Sequence, residues 1–484
     1  MNVVVVGGGT AGWLTALYAQ RLFINSKITV VASSEIGILG AGEGTTVDFI
    51  RFLNALDIDI ADIIKYANGT IKSGIKFTNW NGDGKSYFHP FLDRKYIDNV
   101  DMYRDEIYEG NTLDQVQFTS VSAQLKKVLY KEHSLEKVCS DALHFDANLL
   151  AKFLESVGIS RGITLIDDEV DEIIGNITSL KFKSSKSIST DFVFDCTGFK
   201  RLVIGNFYNS PWHSYKESLP VNRAMPFFIP NTDEDLPPYT EATAMKHGWM
   251  WKIPTRGRYG CGYVFDSGYA TDEEIKAEVE EYLGHTISST RMFSFNAGCF
   301  EKIWINNCIA VGLSSGFTEP LEATSIWVTI QTLELIKLKM DGVYGNQQAI
   351  NDFNGTIRNM NEEIVNFLHF HYLTKRKDSE FWRSFKHKNK TPQLVKNLME
   401  IAATTLPSQK DIDYITLLLD TRTAPNYIQT FEIVNWYTIG AGTGFFKPNF
   451  KKPTVDKIIY KQTLVEKTDE LITHMKYLDA LNAS

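Results

Sequence analysis

Three glycines near the start of the chain have the spacing that holds the pyrophosphate of a dinucleotide. Gly7, Gly9 and Gly12 follow the β-branched run Val3–Val6 and precede an apolar stretch, Leu14–Phe23, that predicts a helix. Gly7 would form the tight turn, Gly9 would admit the phosphates, and Gly12 would let helix and strand pack closely. The helix N-terminus would add free N–H groups and a favourable dipole. The sequence therefore predicts a dinucleotide-binding turn.

Charged side chains that could do acid–base chemistry lie in two further stretches. Lys72 and Lys76 alternate along a predicted strand at residues 71–80, a pattern that usually marks the solvent-facing side. Glu319 and Glu322 open a long predicted helix, where first-turn carboxylates complement the helix dipole. Spacing alone therefore favours ordinary structural roles for all four residues.

Aromatic and histidine pairs are equally open to a structural interpretation. Trp249 and Trp251 are two residues apart, so they share one face of a predicted strand, where core packing accounts for them. His369 and His371 are also two apart and do not share a helix face, so no metal site is predicted. The glycine-rich segment 40–46 predicts a loop that could approach a cofactor closely.

Strand and helix patterns alternate through much of the chain. A second strand is predicted at Lys27–Val31, and other strands at residues 162–167, 179–182, within 192–199, where the strand ends in a turn, within 219–265, and from residue 309. Residues 100–160 predict mostly helix, and the chain from residue 348 onward is predicted to be mainly helical. Gly440–Gly444 predicts a flexible loop.

Composition narrows the class of protein. The 484 residues carry a formal charge of −8, with 43% hydrophobic and 22% charged residues, which argues against a bulk nucleic-acid or anionic-membrane binder. The five cysteines are odd in number and form no Cys-x-x-Cys, so we expect no disulfide framework or zinc site and a reducing, cytoplasmic location. The first residues lack a basic leader, and no apolar run is long enough to cross a bilayer.

Several of these segments together resemble a flavin-dependent halogenase of the tryptophan-halogenase type. The resemblance is carried by Gly7–Trp13, Gly40–Thr45, Lys72, Trp249–Pro254 and Phe317–Ile326. Trp249–Pro254 matches the family marker Trp-x-Trp-x-Ile-Pro, and further matches lie at residues 87–91, 144–147, 195–199, 239–244 and 381–383. The likeness spans about residues 1–450 in the family's order, and the Asn- and Lys-rich composition is similar to a viral (cyanophage) member.

The resemblance implies an α/β fold with a Rossmann-type FAD-binding domain, a mixed-sheet substrate region and a mainly helical C-terminal part. We expect an FAD-binding halogenase core at residues 1–340 and a helical, substrate-covering region at 341–484. Within the core, residues 1–50, 140–205 and 300–340 would bind the nucleotide, and residues 51–139 and 206–299 would form an inserted substrate-side sheet region.

The resemblance also implies a reaction. Reduced FAD, O₂ and a halide would give hypohalous acid, which would travel inside the protein to an electron-rich aromatic of indole or phenol type. Lys72 would polarise the hypohalous acid as an ammonium or carry the halogen as an amine. Glu322 would orient the oxidant and take the proton lost from the ring. Thr324 and Ser325 match the halide-binding backbone positions.

Two further sets of residues acquire roles by the same resemblance. Trp249 and Trp251 would separate the organic substrate from the flavin, so that hydroxylation does not compete. The FAD contacts would come from Gly7, Gly9, Thr10, Ala11, Gly12, Ser33, Ile36, Glu43, Val170, Leu313 and Ile326. The acidic ribose ligand usual at the end of the second strand is absent, because residues 32–34 are Ala-Ser-Ser, so the ribose contact is unassigned.

The halide segment departs from the family pattern. Pro-Leu-Glu-Ser-Thr-Gly is replaced by Pro-Leu-Glu-Ala-Thr-Ser, which puts Ala323 in place of a serine and Ser325 in place of a glycine. A changed cavity there could favour a larger halide, so bromide or iodide is a hypothesis beside chloride.

Two other functions remain open at this stage. An FAD-dependent aromatic hydroxylase would reduce its own flavin with NAD(P)H and would not need Lys72 or a halide. A non-catalytic flavin-binding protein would bind FAD without a halide-dependent product, and Lys72 and Glu322 together argue against it. Because no second nucleotide fingerprint is present, a separate flavin reductase is the expected partner. Composition leaves the oligomeric state open, including a homo-oligomer.

Overall fold

The structure is a computed structural model that describes residues 1–36, 43–92, 100–232, 235–288, 292–340, 346–419, 430–447 and 457–483. Its strands are β1 (Asn2–Val6), β2 (Lys27–Ala32), β3 (Glu43–Gly44), β4 (Thr70–Lys72), β5 (Gly74–Thr78), β6 (Ser86–Pro90), β7 (Lys127–Lys131), β8 (Ala142–Phe145), β9 (Thr164–Asp167), β10 (Val170–Ile174), β11 (Ser179–Phe182), β12 (Ser187–Ser189), β13 (Phe192–Asp195), β14 (Trp212–Ser214), β15 (Arg223–Pro230), β16 (Thr240–Ala244), β17 (Gly248–Thr255), β18 (Arg258–Phe265), β19 (Phe293–Ser294), β20 (Gly298–Phe300), β21 (Trp304–Ile305), β22 (Cys308–Ala310), β23 (Gly316–Phe317) and β24 (Leu471–Thr473).

The helices follow the same chain order. They are α1 (Thr10–Leu22), α2 (Asp48–Ala55), α3 (Ile60–Tyr66), α4 (Val100–Glu109), α5 (Phe118–Gln124), α6 (Ala147–Ser160), α7 (Asp272–Leu283), α8 (Thr324–Met340), α9 (Gln347–His371), α10 (Glu380–Lys388), α11 (Gln393–Ala402), α12 (Gln409–Leu419), α13 (Ile433–Gly442), α14 (Lys457–Thr468) and α15 (His474–Ala483). Within the described residues, none of them is long and apolar enough to span a membrane.

The glycine turn sits at the centre of a six-stranded sheet with the order β21-β22-β13-β1-β2-β9. Strand β1 pairs in parallel with both β2 and β13, and α1 connects β1 to β2. Val3, Val4 and Val5 are completely buried, because a central parallel strand is covered on both faces and therefore has a continuous apolar run. This arrangement confirms the predicted α/β fold with a Rossmann-type unit.

A second large sheet carries the tryptophan pair. Its seven strands have the order β19-β15-β18-β17-β16-β5-β6, and they are antiparallel except where β16 runs parallel to β5. Trp249 and Trp251 lie in β17 at the middle of the sheet, both buried. The predicted mixed sheet is therefore confirmed.

The predicted strand at residues 71–80 is wrong in one respect that matters for function. It is two strands in two sheets: β4 pairs with β8, whereas β5 pairs with β6 and β16. Between them, the Ser73 N–H donates to the Pro238 carbonyl at 2.7 Å, and the Ser73 carbonyl accepts from the Phe91 N–H at 2.9 Å. The break ends the alternation, so Lys72 is completely buried while Lys76 is partly exposed.

Residues 100–160 are less helical than predicted. After α4 and α5 come β7 and β8, which pair with β24 and with β3 and β4, respectively. Because these partner strands are distant in sequence, no local pattern predicts β7 and β8. The chain from residue 346 is mainly helical, as predicted, apart from β24.

The predicted loop at Gly440–Gly444 is also wrong in part, because α13 continues to Gly442. A Cβ at Gly440 would lie 2.1 Å from the Phe446 ring, and one at Gly442 would lie 2.3 Å from the Tyr87 ring. These glycines therefore admit aromatic rings against a helix. Part of the predicted loop at residues 40–46 lies outside the described residues, which omit 37–42.

Candidate active site

The glycine turn has the geometry that a nucleotide needs. Gly7 has a φ of +118°, and a Cβ at Gly12 would lie 2.0 Å from the Gly7 carbonyl oxygen, so neither position admits a side chain. A Cβ at Gly9 would meet nothing within 4 Å, which leaves open space beside the N-terminus of α1. The Thr10 hydroxyl is buried there without a hydrogen-bond partner among the described residues. The cradle therefore fits a dinucleotide phosphate.

The other predicted FAD contacts are distributed around this turn. Ser33 and Ile36 follow β2, and Ile36 is 52% exposed. Leu313 lies in a 3₁₀ turn whose Gly312 contacts Ala11: a Cβ at Gly312 would be 2.7 Å from the Ala11 Cβ. This contact joins two predicted FAD-binding segments that are about 300 residues apart in sequence.

Three predicted contacts lie on other elements. Ile326 is in the first turn of α8 and is buried. Val170 begins β10 in a separate three-stranded sheet and is partly buried. Glu43 lies in β3, where burial, followed by the charge of Asp146, raises its pKa to about 7.

Lys72 is enclosed by the protein on all sides. Its side chain is fully buried, and its Nζ donates to the Thr45 carbonyl oxygen at 3.0 Å and lies 5.3 Å from the Phe91 ring centroid. Burial lowers the pKa of Lys72 to about 8, although the negative charge of Glu322 acts in the opposite direction. Lys72 therefore sits close to the point where ammonium and amine are both accessible near neutral pH.

A histidine from the last helix holds the strand of Lys72 in place. The Ile71 N–H donates to His474 Nε2 at 2.9 Å, and His474 Nδ1 donates to the Leu236 carbonyl at 3.0 Å. Burial lowers the pKa of His474 to about 4, so this imidazole is neutral. It fixes β4 through a backbone hydrogen bond without placing a second charge beside Lys72.

Glu322 lies between two histidines. His89 Nδ1 is 3.0 Å from both carboxylate oxygens, and His371 Nε2 is 2.7 Å from Oε1. All three side chains are buried. Burial alone would raise the pKa of Glu322, but contact with His89 and His371 lowers it to about 2. Glu322 is therefore a carboxylate at neutral pH.

Sequence reasoning gave no role to either histidine. His371 is 49 residues from Glu322 and His89 is 233 residues away, so only the fold brings them together. His369 and His371 do point in different directions, as predicted: His369 Nδ1 lies 2.8 Å from the Ser218 carbonyl oxygen. Within the described residues, no group of three or more His, Cys, Asp or Glu side chains is arranged to hold a metal ion.

The predicted halide positions begin α8. Ala323 has a φ of +54°, a left-handed conformation that ends the 3₁₀ turn Pro320–Glu322 and starts the new helix. Thr324 and Ser325 lie in the first turn of α8, where backbone N–H groups have no partner within the helix. The turn therefore places two donors of the kind that binds an anion directly after Glu322.

The two tryptophans form a wall that is anchored by a second carboxyl group. Their ring centroids are 6.2 Å apart, and a Cβ at Gly262 would lie 2.1 Å from the Trp251 ring. Trp249 Nε1 donates to Glu319 Oε2 at 2.8 Å, and the Tyr372 hydroxyl donates to the same oxygen at 2.5 Å. Burial raises the pKa of Glu319 to about 7. The helix-dipole role expected for Glu319 is therefore wrong, because this carboxyl group is buried against the tryptophan wall.

Comparison with known proteins identifies the class. A family model described as tryptophan halogenase matches residues 2–458. The tryptophan 6-halogenase SttH of Streptomyces toxytricini is 31% identical over 447 residues, which cover 85% of each chain. Tar14, a tryptophan C-6 flavin-dependent halogenase from taromycin biosynthesis, has a TM-score of 0.88 at 27% identity over 99% of both chains. BrvH, a flavin-dependent halogenase from Brevundimonas sp. BAL3, has a TM-score of 0.83 at 27% identity over 99% of both chains.

The chain therefore belongs to the tryptophan halogenase family. This membership confirms the resemblance seen in the sequence, the oxidoreductase class, and a flavin, FAD, as the cofactor. The roles of individual site residues, the domain division and the viral resemblance stay predictions.

Proposed function

We propose that this halogenase uses reduced FAD from a separate flavin reductase, O₂ and a halide to halogenate an electron-rich aromatic. The observation that carries the proposal is the fully buried Lys72, whose pKa of about 8 is kept from falling further by the carboxylate of Glu322. Burying a lysine is costly, and a buried lysine with a perturbed pKa is a candidate for a functional role. The names of the relatives favour an indole over a phenol as the substrate.

FAD would be held by the glycine cradle, the Thr10 hydroxyl and the Leu313 turn, and when bound and reduced it supplies, with O₂ and halide, the hypohalous acid. Lys72 then binds and orients that oxidant. The Lys72 ammonium donates a hydrogen bond to it and withdraws electron density from the halogen. The Thr45 carbonyl, 3.0 Å from Nζ, fixes the direction in which the ammonium points.

Glu322 completes the substitution at the ring. The ring electrons attack the halogen as the halogen–oxygen bond breaks, and the leaving hydroxide takes a proton from the Lys72 ammonium to form water. The carboxylate then takes the proton from the carbon that bears the halogen, and the C–H electron pair restores the aromatic system. Its buried position excludes water from that step. The Trp249–Trp251 wall keeps the substrate on the side of Lys72, so the oxidant, rather than the flavin, reaches the ring.

The first turn of α8 would bind the halide through the backbone N–H groups of Thr324 and Ser325. We propose bromide or iodide as the preferred halide, because Ala323 and Ser325 depart from the family pattern at this turn. Ser325→Gly restores the family residue, and we expect it to raise chlorination relative to bromination. Competition assays with equal halide concentrations measure this ratio. A wild-type protein that chlorinates at least as fast as it brominates and iodinates would contradict the preference.

The proposal also assigns roles to the two parts of the chain and a cellular location. The core at residues 1–340 binds cofactor and halide, and the helical region at 341–484 covers the substrate. A reducing, cytoplasmic location is part of the proposal and rests on the odd number of cysteines and the lack of a Cys-x-x-Cys; all five cysteines are buried.

The function is tested with the purified protein, FAD, a flavin reductase, NADH and oxygen. Chloride, bromide and iodide are offered separately against indoles, including tryptophan, and phenols, and mass spectrometry detects the products. Lys72→Ala is expected to abolish product while Lys76→Ala, a lysine that is partly exposed on the next strand, retains it. Product that survives Lys72→Ala would show that free hypohalous acid reacts in solution, and hydroxylated product would indicate a monooxygenase.

A further inference from the structure

His89 and His371 each make a hydrogen bond to a group other than Glu322, and these bonds show which ring nitrogen carries a proton. Asn435 Oδ1 accepts from the Glu432 N–H at 2.9 Å, so the Asn435 amide nitrogen faces His89 Nε2 at 3.0 Å. That nitrogen can only donate, so His89 Nε2 carries a lone pair. The proton of a neutral His89 is therefore on Nδ1, from which it is donated to the Glu322 carboxylate.

His371 faces Glu322 with its other nitrogen, Nε2. Its Nδ1 lies 2.8 Å from the Phe367 carbonyl oxygen, which can only accept, so Nδ1 carries a proton. Its Nε2 faces Glu322 Oε1 at 2.7 Å. A neutral His371 has a bare Nε2 and would require a protonated Glu322, whereas a carboxylate at Glu322 requires a second proton on His371. Either way, one proton lies between these two atoms.

The surroundings decide on which atom the proton resides. Lys72 from β4 and the His89 N–H from β6 both favour a negative charge on Glu322. The buried hydroxyl of Tyr87, also on β6, feels the same negative charge, which contributes to raising its pKa. His371 is otherwise packed against the rings of Phe77 and Phe367 at centroid distances of 5.2 and 4.9 Å. Glu322 is then the group that compensates the charge of a protonated His371.

We propose that His371 is a positioning residue that shares one proton with Glu322 and so keeps Glu322 a carboxylate, ready for the proton of the halogenated ring. This inference rests on the proposed function, in which Glu322 is the base. A halogenated ring cation is a very strong acid, so even a weakly basic carboxylate accepts its proton. During that step the proton moves from ring carbon to carboxylate, the C–H pair returns to the ring, and no group of the pair is oxidised or reduced.

The test compares His371→Gln with His369→Gln. A glutamine at 371 can still donate a hydrogen bond to Glu322 but cannot carry a positive charge, so the carboxylate loses its compensating partner. We expect the acid limb of the kcat–pH profile to move upward by about 1–3 pH units, the effect of an opposite charge at this distance, with little change in KM. His369 is equally buried on the same helix but bonds to Ser218, so His369→Gln should leave the profile in place.

A second measurement does not depend on turnover. Protein with ¹⁵N-labelled histidine has ten imidazoles, and the signals lost in His371→Gln identify His371. At neutral pH we expect both His371 nitrogens to be protonated in the wild type, and Glu322→Gln to return Nε2 to the shift of a bare nitrogen. If Glu322→Gln leaves the His371 signals unchanged, or if His371→Gln and His369→Gln give the same pH profile, the shared proton is refuted. If the wild type forms no halogenated product, the proposed function fails, and the ¹⁵N measurement still decides on the pair.

Discussion

Replacing Glu319 with glutamine isolates the cost of burying a carboxyl group behind the tryptophan wall. Glu319 is 1% exposed; its Oε2 accepts from Trp249 and Tyr372, and its Oε1 has no partner among the described residues. Burial raises its pKa from 4.5 to about 7. At about 1.36 kcal/mol for each pKa unit, ionising this group in the folded protein costs about 3 kcal/mol more than in the unfolded chain.

The sign of the pH dependence follows from the raised pKa. Below pH 4.5 the carboxyl is protonated in both states. As the pH rises from 4.5 to about 7, folded-state stability is lost because only the unfolded chain ionises freely, and above pH 7 no more is lost. A glutamine oxygen can accept both existing hydrogen bonds and carries no charge. We therefore expect Glu319→Gln to be more stable than the wild type by about 3 kcal/mol at pH 8.5 and by less than about 1 kcal/mol at pH 5.

Thermal unfolding of the protein without added flavin, at pH 5 and at pH 8.5, measures the effect. For a chain of 484 residues, 3 kcal/mol corresponds to about 3 °C in Tm. Glu281→Gln, at an exposed position on α7, is the control and should show no such divergence. A Glu319→Gln protein whose Tm difference from the wild type is the same at both pH values would refute the buried neutral carboxyl.

Two further predictions follow from the cradle and from Lys72. Gly9→Ala should have the Tm of the wild type but bind FAD more weakly, because its methyl group enters the open cradle. Gly12→Ala should bind FAD more weakly and also have a lower Tm, because its Cβ would overlap the Gly7 carbonyl. Flavin titration and melting curves measure these two effects, and equal behaviour of the two variants would contradict the proposed cradle. Lys72→Met should lose halogenation and be more stable than the wild type at pH 7 by up to about 3 kcal/mol. Since burial lowers the Lys72 pKa from 10.5 to about 8, this gain should shrink as the pH rises from 8 towards 10.5, and a gain that does not change with pH would argue against a buried ammonium.

The local part of the fold was predictable from the sequence. Strand β1, helix α1 and strand β2 follow one another within about 30 residues, and the glycines between them have their own conformational requirements, so pattern alone identified the unit. Strands β7 and β8 were not predicted, because their partners come from elsewhere in the chain and their own residues show no clear alternation.

The candidate site shows the same difference between local features, which the sequence predicts, and contacts between distant residues, which it does not. Lys72 and Glu322 were identified through family motifs, but pattern alone placed Lys72 on a solvent-facing side, because nothing local reveals that the strand breaks at Ser73. The sequence predicts no metal-binding role for His371 and only a helix-dipole role for Glu319. Their partners are a carboxylate 49 residues away and a tryptophan 70 residues away, so their roles exist only once the chain has folded.

The histidine that holds the strand of Lys72 has a consequence for how the protein is made. His474 is 403 residues from Ile71, its backbone partner, so a ribosome completes the glycine cradle long before it can deliver the residue that fixes β4. The nascent chain therefore passes through a long stage in which the N-terminal strands can form while β4, the strand of Lys72, still lacks this hydrogen bond. A polypeptide that folds in this order can form the β1–α1 glycine turn early, and it fixes the strand of Lys72 last.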